Sequence, residues 1–100
     1  MIKKPKPPEA LSPGGRKLWK AILGDWPIHD AAHLAVLRVG LESLDRAARC
    51  RAIIDREGEL SKDRFGQSKP HPLLSAERDA RSSFFQAVKV LGLDPSDIEV

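Results

Sequence analysis

The run from His29 to Glu57 holds no proline and a single glycine, Gly40, and stops at Gly58. Read as one helix it would extend about 43 Å, whereas a compact domain of 100 residues has a radius of gyration of about 13 Å. A helix of that length is hard to bury inside a monomer. Its apolar residues recur at Leu34, Leu37, Leu41, Leu44 and Ala48, the three-and-four spacing that keeps one stripe turned toward a partner. Val36, Ala47, Cys50, Ile53 and Ile54 widen the apolar surface, so the segment can meet more than one neighbouring helix.

Two uses of the stripe fit this pattern: the core of a helical hairpin, or a core part of which is also a subunit interface. A chain of 100 residues leaves much of its surface uncovered, which makes assembly a sensible source of stability and the second use the expectation. The single Cys50 excludes an intrachain disulfide and sits among apolar residues, which suits a buried thiol in a reducing compartment. No apolar stretch is long enough to cross a bilayer, and no secretory leader pattern is present.

The net charge is +3, but its distribution is more informative. Before Asp25 the chain carries Lys3, Lys4, Lys6, Arg16, Lys17 and Lys20 against Glu9 alone. After Gly92 it carries Asp94, Asp97 and Glu99 with no basic residue. The first end attracts polyanions and the second does not. On the long helix, Glu42 with Arg46 and Asp45 with Arg49 have the spacing of intrahelical ion pairs.

The local signals divide the chain into a flexible basic arm over residues 1–12, a helical body over 13–95 and an acidic tail over 96–100. Pro5, Pro7 and Pro8 between lysines favour an extended arm. Ser12 and Pro13 are a cap and first position for a helix running to about Leu23, with Leu18, Trp19, Ile22 and Leu23 on its apolar side. Gly24 to Pro27 breaks it, and Asp30 is a cap for the long helix. From Glu59 to Lys69, a short hairpin and an ordered loop are equal alternatives. Ser75 is the expected cap of a last helix reaching Leu91, with Ala80, Phe84, Ala87, Val88 and Leu91 as its stripe. Gly92 and Pro95 stop it. The expected fold is therefore mainly α: a long central helix, two flanking helices and a small loop or hairpin insertion. Phe84, Val88 and Leu91 join the Leu34–Ala48 stripe as the expected oligomer interface.

Catalytic patterns are missing. His29 and His33 are four residues apart, as in zinc-peptidase helices, but the position after His29 is Asp30, a natural helix cap, and no pattern designates a third ligand. There is no phosphate-binding glycine loop, no dinucleotide fingerprint and no CxxC pair. A nonenzymatic protein without a cofactor or metal is expected. Lys3, Lys4, Lys6, Arg16, Lys17 and Lys20 can neutralise phosphates without reading base edges, and Arg46 and Arg49 offer a second basic surface unless intrahelical pairing consumes them. Trp19 and Trp26 could stack on bases, but their apolar neighbours favour core packing. The long helix exceeds the recognition helix of a compact helix-turn-helix unit.

The order of signals resembles one family: Leu11-Ser12, Leu18-Trp19, Asp30 opening a long helix, Gly58 closing it, Gly66, His71-Pro72, and Leu91-Gly92-Leu93-Asp94-Pro95. Over roughly residues 11–95 the chain resembles the P27 family of bacteriophage terminase small subunits. The resemblance implies a helical, commonly ring-forming homo-oligomer. It would recognise double-stranded viral DNA and regulate or recruit a large subunit that carries the ATPase and nuclease, in the host-cell cytoplasm during phage assembly. His71 stands where the family often has asparagine, and the acidic ending departs from the family's more basic one, so no DNA contact is carried into it. The alternative is an oligomeric protein-interaction adaptor whose basic arm has no DNA role.

Overall fold

A computed structural model describes residues 4–94. Three helices, α1 (Pro13–Asp25), α2 (Ala31–Glu57) and α3 (Leu73–Val90), are joined in order, with two short strands, β1 (Leu60–Lys62) and β2 (Ser68–Pro70), between the last two. The mainly helical architecture with a long central helix is the one the sequence pattern implies. Of the two alternatives for the insertion, the chain adopts the hairpin: β1 and β2 are antiparallel, with Leu60 opposite Pro70 and Lys62 opposite Ser68.

Helix boundaries follow from local chemistry. Ser12 Oγ accepts the Gly15 N–H at 3.0 Å, and Pro13 fills the first position, where a missing N–H costs nothing. Trp26 is extended, as the residue before Pro27 must be, and α1 ends there. Asp30 accepts the His33 N–H and starts α2, while Gly58 closes it with an N–H bond to the Ile54 carbonyl. At the end of α3, Leu93 N–H bonds the Val88 carbonyl and Gly92 N–H bonds that of Lys89. This Schellman pattern uses the left-handed Gly92 (φ 72°) and folds Leu93 back into the core beside Val88.

The start of α3 differs from expectation. Ser75 is inside the helix, not at its cap; the cap position falls three residues earlier, at Pro72, which offers no side-chain bond. The cap comes instead from the buried His71, whose Nδ1 accepts the Leu73 N–H at 3.0 Å. That bond assigns the ring proton to Nε2, which donates to Glu57 Oε1 at 2.9 Å. The hydrogen bond from His71 holds the Glu57 carboxyl below its usual range.

Two helices cover two sides of α2. On one side, Leu37 and Leu41 of α2 join Trp19, Ile22 and Leu23 of α1 and Phe84 and Val88 of α3 in the main cluster, which Leu11 and Leu93 complete. On the other, Ala47, Cys50 and Ile54 are buried, as is Ala80 of α3. The widened apolar surface of α2 is thus used by more than one neighbour. A Cβ built on Gly40 would lie 2.7 Å from the Cβ of Ala87, so α2 and α3 approach closely and run antiparallel. Glu77 ties them a second time: Arg51 Nη2 and Nε reach its two oxygens at 2.7 and 2.8 Å, and Arg81 donates at 3.2 Å. The molecule is elongated, 63 × 23 × 21 Å with a radius of gyration of 16.4 Å, against about 13 Å for a compact chain of this length.

Candidate nucleic-acid interface

The interface expected from sequence begins with the arm. Residues 4–8 have no regular secondary structure and a turn follows, closed by the Leu11 N–H bond to the Pro8 carbonyl, but the segment is tied down rather than free. Trp19 Nε1–H donates to the Pro5 carbonyl at 3.1 Å, the Arg16 guanidinium donates to the Glu9 carbonyl, and Leu11 is buried in the main cluster. Lys4 and Lys6 project from this segment and are exposed. Lys4 and Pro5 also border a shallow, mostly apolar groove with Leu23, Trp26 and Ile28. Trp19 is buried and Trp26 half-buried against the core, which gives both indoles a packing role. Lys3 lies outside the described residues, as do Pro95 and the acidic tail over 96–100.

On α1, Arg16, Lys17 and Lys20 occupy positions i, i+1 and i+4 and all face solvent. Arg46 and Arg49 are exposed on α2. The intrahelical pairs expected to consume them do not form. Glu42 accepts from Arg38 at 2.9 Å, and Asp45 turns to α1, where it accepts Ser12 N–H at 2.8 Å and Ser12 Oγ–H at 2.6 Å. The reason is electrostatic: the unpaired N–H groups and positive dipole end of α1 offer a buried carboxylate more than a solvated arginine does. Gly15 leaves the space, since a Cβ there would sit 3.0 Å from both Asp45 oxygens. Lys4, Lys6, Lys17, Lys20, Arg46 and Arg49 therefore have no ion pair among the described residues.

The Ser12–Asp45 contact joins residues 33 apart in sequence. It sets the first turn of α1 against α2 at Asp45, next to Arg46 and one turn from Arg49. Nothing local in the sequence announces that juxtaposition, since the spacing of Asp45 and Arg49 pointed elsewhere.

The expected oligomer interface needs correction. Leu41 is 0 % exposed, and Leu37, Phe84 and Val88 are equally inaccessible inside the monomer. Withdrawing them from water contributes roughly 1.5–3 kcal/mol each to the fold, so they are core and not a subunit contact. Leu34, Leu44 and Leu91 are half-buried against the same cluster, and Ala48 is the only member of the expected set that is exposed. The large apolar side chains left in water are Val39, Leu60, Phe65, Phe85 and Val90.

The histidines of the metal-like spacing serve local structure. His33 Nδ1 lies 2.6 Å from Asp30 Oδ2, and His29 Nδ1 lies 3.1 Å from the Pro27 carbonyl. The His33 backbone N–H, then the ring, hold the Asp30 carboxyl below its usual range. No group of three or more His, Cys, Asp or Glu side chains is placed to hold a metal among the described residues. No helix among them is long and apolar enough to cross a membrane.

No family model, no curated protein and no solved structure matches the chain.

Proposed function

We propose that this chain is the nonenzymatic small subunit of a phage DNA-packaging terminase, one that binds duplex DNA and engages the large ATPase and nuclease subunit. The observation that supports DNA binding is the set of cations that are exposed and without an ion pair among the described residues: Lys17 and Lys20 on α1, Arg46 and Arg49 on α2, and Lys4 and Lys6 on the anchored arm. Cations without internal partners lose no ion pair when they meet phosphate, and each one engaged releases condensed counterions. The packaging role rests on the order of motifs from Leu11 to Pro95 and on nothing else. On this reading assembly uses surface other than Leu37, Leu41, Phe84 and Val88; Val39 (62 % exposed) and Val90 (67 % exposed) are the apolar side chains most available near the three-helix end.

Light scattering coupled to size exclusion, with and without duplex DNA across a salt series, tests the reading. A discrete oligomer that binds DNA with a steep salt dependence supports it. Replacing Lys17, Lys20 and Arg49 together by glutamine should flatten the slope of log K against log salt by about 2.7 if each neutralises one phosphate. An unchanged affinity and slope in that folded variant refutes the placement. A monomer, or an assembly indifferent to DNA, favours the protein-interaction adaptor.

A further inference from the structure

The β1–β2 hairpin is not needed by the core, yet it is built as a firm projection. Its base is fixed by the His71 N–H bond to the Glu59 carbonyl at 2.7 Å and by Arg51 Nη1, 3.3 Å from the Glu59 carboxylate. Its tip is held by Asp63, whose Oδ1 accepts the Phe65 N–H at 2.8 Å and the Gln67 N–H at 3.0 Å. Asp63 N–H bonds the Gln67 carbonyl, Gly66 N–H bonds that of Asp63, and Gly66 takes a left-handed φ of 78° to close the turn. The only acid between Leu60 and Pro70 is thus engaged in holding the turn, with Lys69 Nζ 3.6 Å away.

What the finger presents is a phenyl ring and cations. Phe65 is 73 % exposed, and the Arg64 guanidinium lies 4.8 Å from its ring centre. Lys62 and Lys69 flank the tip from the two strands, so three cations stand against one acid, a net charge of +2. A phenyl in water at the end of a preorganised turn is unfavourable unless a partner covers it, and the surrounding charge selects a polyanion as that partner. Among polyanions, nucleic acid alone combines phosphates for the lysines and arginine with flat apolar faces for the ring. A two-stranded ribbon is also narrow enough to enter a groove of the duplex.

We propose that the β1–β2 hairpin is a nucleic-acid-contacting wing, in which Lys62, Arg64 and Lys69 neutralise backbone phosphates and the Phe65 ring wedges between neighbouring base pairs of the duplex, partly unstacking that step. The wing shares its ligand class with the function proposed above but none of its residues, so the two stand or fall separately.

The test uses the full chain, a fluorescein-labelled duplex of about three helical turns and the same duplex carrying 2-aminopurine. Because these side chains are exposed, their replacement should leave the thermal unfolding midpoint unchanged, which circular dichroism checks. Phe65→Ala should weaken binding about tenfold or more and abolish the 2-aminopurine response, with the salt slope unchanged because the ring carries no charge. Replacing Lys62, Arg64 and Lys69 by glutamine should flatten the slope by about 2.7. An unchanged affinity and 2-aminopurine signal in Phe65→Ala overturns the wing, as does an unchanged slope in the triple variant, or binding of acidic peptide in preference to duplex. Loss on the α1–α2 variant with full binding by both hairpin variants overturns the wing and leaves the other reading standing. The converse pattern removes α1 and leaves the wing.

Discussion

Replacing Gly40 by alanine sets two effects of opposite sign against each other, and the structure decides between them. In an exposed helix interior the change would stabilise by about 1 kcal/mol, because glycine is the poorer helix former. Here the new methyl would meet the Ala87 Cβ at 2.7 Å, inside the optimal carbon separation of roughly 3.5–4.0 Å. Ala87 has no rotamer with which to yield, so α2 and α3 must move apart, and Phe84, one turn away on α3, loses packing with them. Overpacking of a close-packed core costs about 1–3 kcal/mol. The expected net is a loss of about 1–2 kcal/mol, which lowers the unfolding midpoint by roughly 5–15 °C for a chain of this size. Ala87→Gly alone should also destabilise, by about 1–2 kcal/mol from helix propensity and a lost buried methyl. Combined, the two changes exchange one methyl across the interface and cancel in propensity, so the double variant should fall within about 1 kcal/mol of the parent. Urea unfolding followed at 222 nm measures all four corners of the cycle. A Gly40→Ala protein more stable than the parent, or a double variant as damaged as the sum of the singles, refutes the close helix approach.

The remaining predictions concern polar groups. Asp45→Ala strands the Ser12 N–H and hydroxyl at the start of α1 and should destabilise by about 1–3 kcal/mol, with hydrogen exchange accelerating first at Gly15 and Arg16; protection unchanged there would contradict the tie between α1 and α2. The Arg51 guanidinium, with help from Arg81, holds the buried Glu77 carboxyl down at about 2. A depressed folded-state value means that its stabilisation is fully present above the unfolded value near 4.5 and is lost as pH falls toward 2, so the unfolding midpoint should hold from pH 7 to 5 and decline below. Glu77→Gln should lower the midpoint at pH 7 and flatten that acid limb; an acid limb as steep as the parent's would assign it to other carboxylates.

What could be read from sequence was local. Ser12-Pro13, Asp30, Gly58 and Gly92 mark helix ends because capping is a matter of a few neighbouring residues, and each stands where its chemistry places it. The start of α3 departs from the local signal for the same reason: Ser75 is a good cap by type, whereas the actual acceptor is a histidine ring whose proton position depends on Glu57, 14 residues away. Arg51–Glu77 and Ser12–Asp45 join residues 26 and 33 positions apart, and no helical period contains them. The Leu34–Ala48 stripe shows a deeper limit. Three-and-four spacing establishes that a face is covered, but α1 of the same chain and a second subunit leave the same pattern. Ala48, where the leucines stop, is where the stripe becomes exposed.

The anchored arm and the unpaired arginines bear jointly on how a polyanion would be held. A free arm carrying Lys4 and Lys6 would surrender conformational entropy on binding, whereas one fixed by Trp19 and Leu11 has already done so during folding, so less is lost at the moment of association. Along α2, Arg46 and Arg49, and Arg56 beside Glu57 at 3.7 Å, are spaced at three and seven residues, which keeps them on one side of the helix between the first turn of α1 and the foot of the hairpin. From Asp45 to Glu57 the axis rises about 18 Å, the length of about five base pairs. Contacts at that separation fall within a single duplex site, so each group of cations that does engage phosphate raises the effective concentration of phosphate for the next, while the loss of any one group is still read from its own variant.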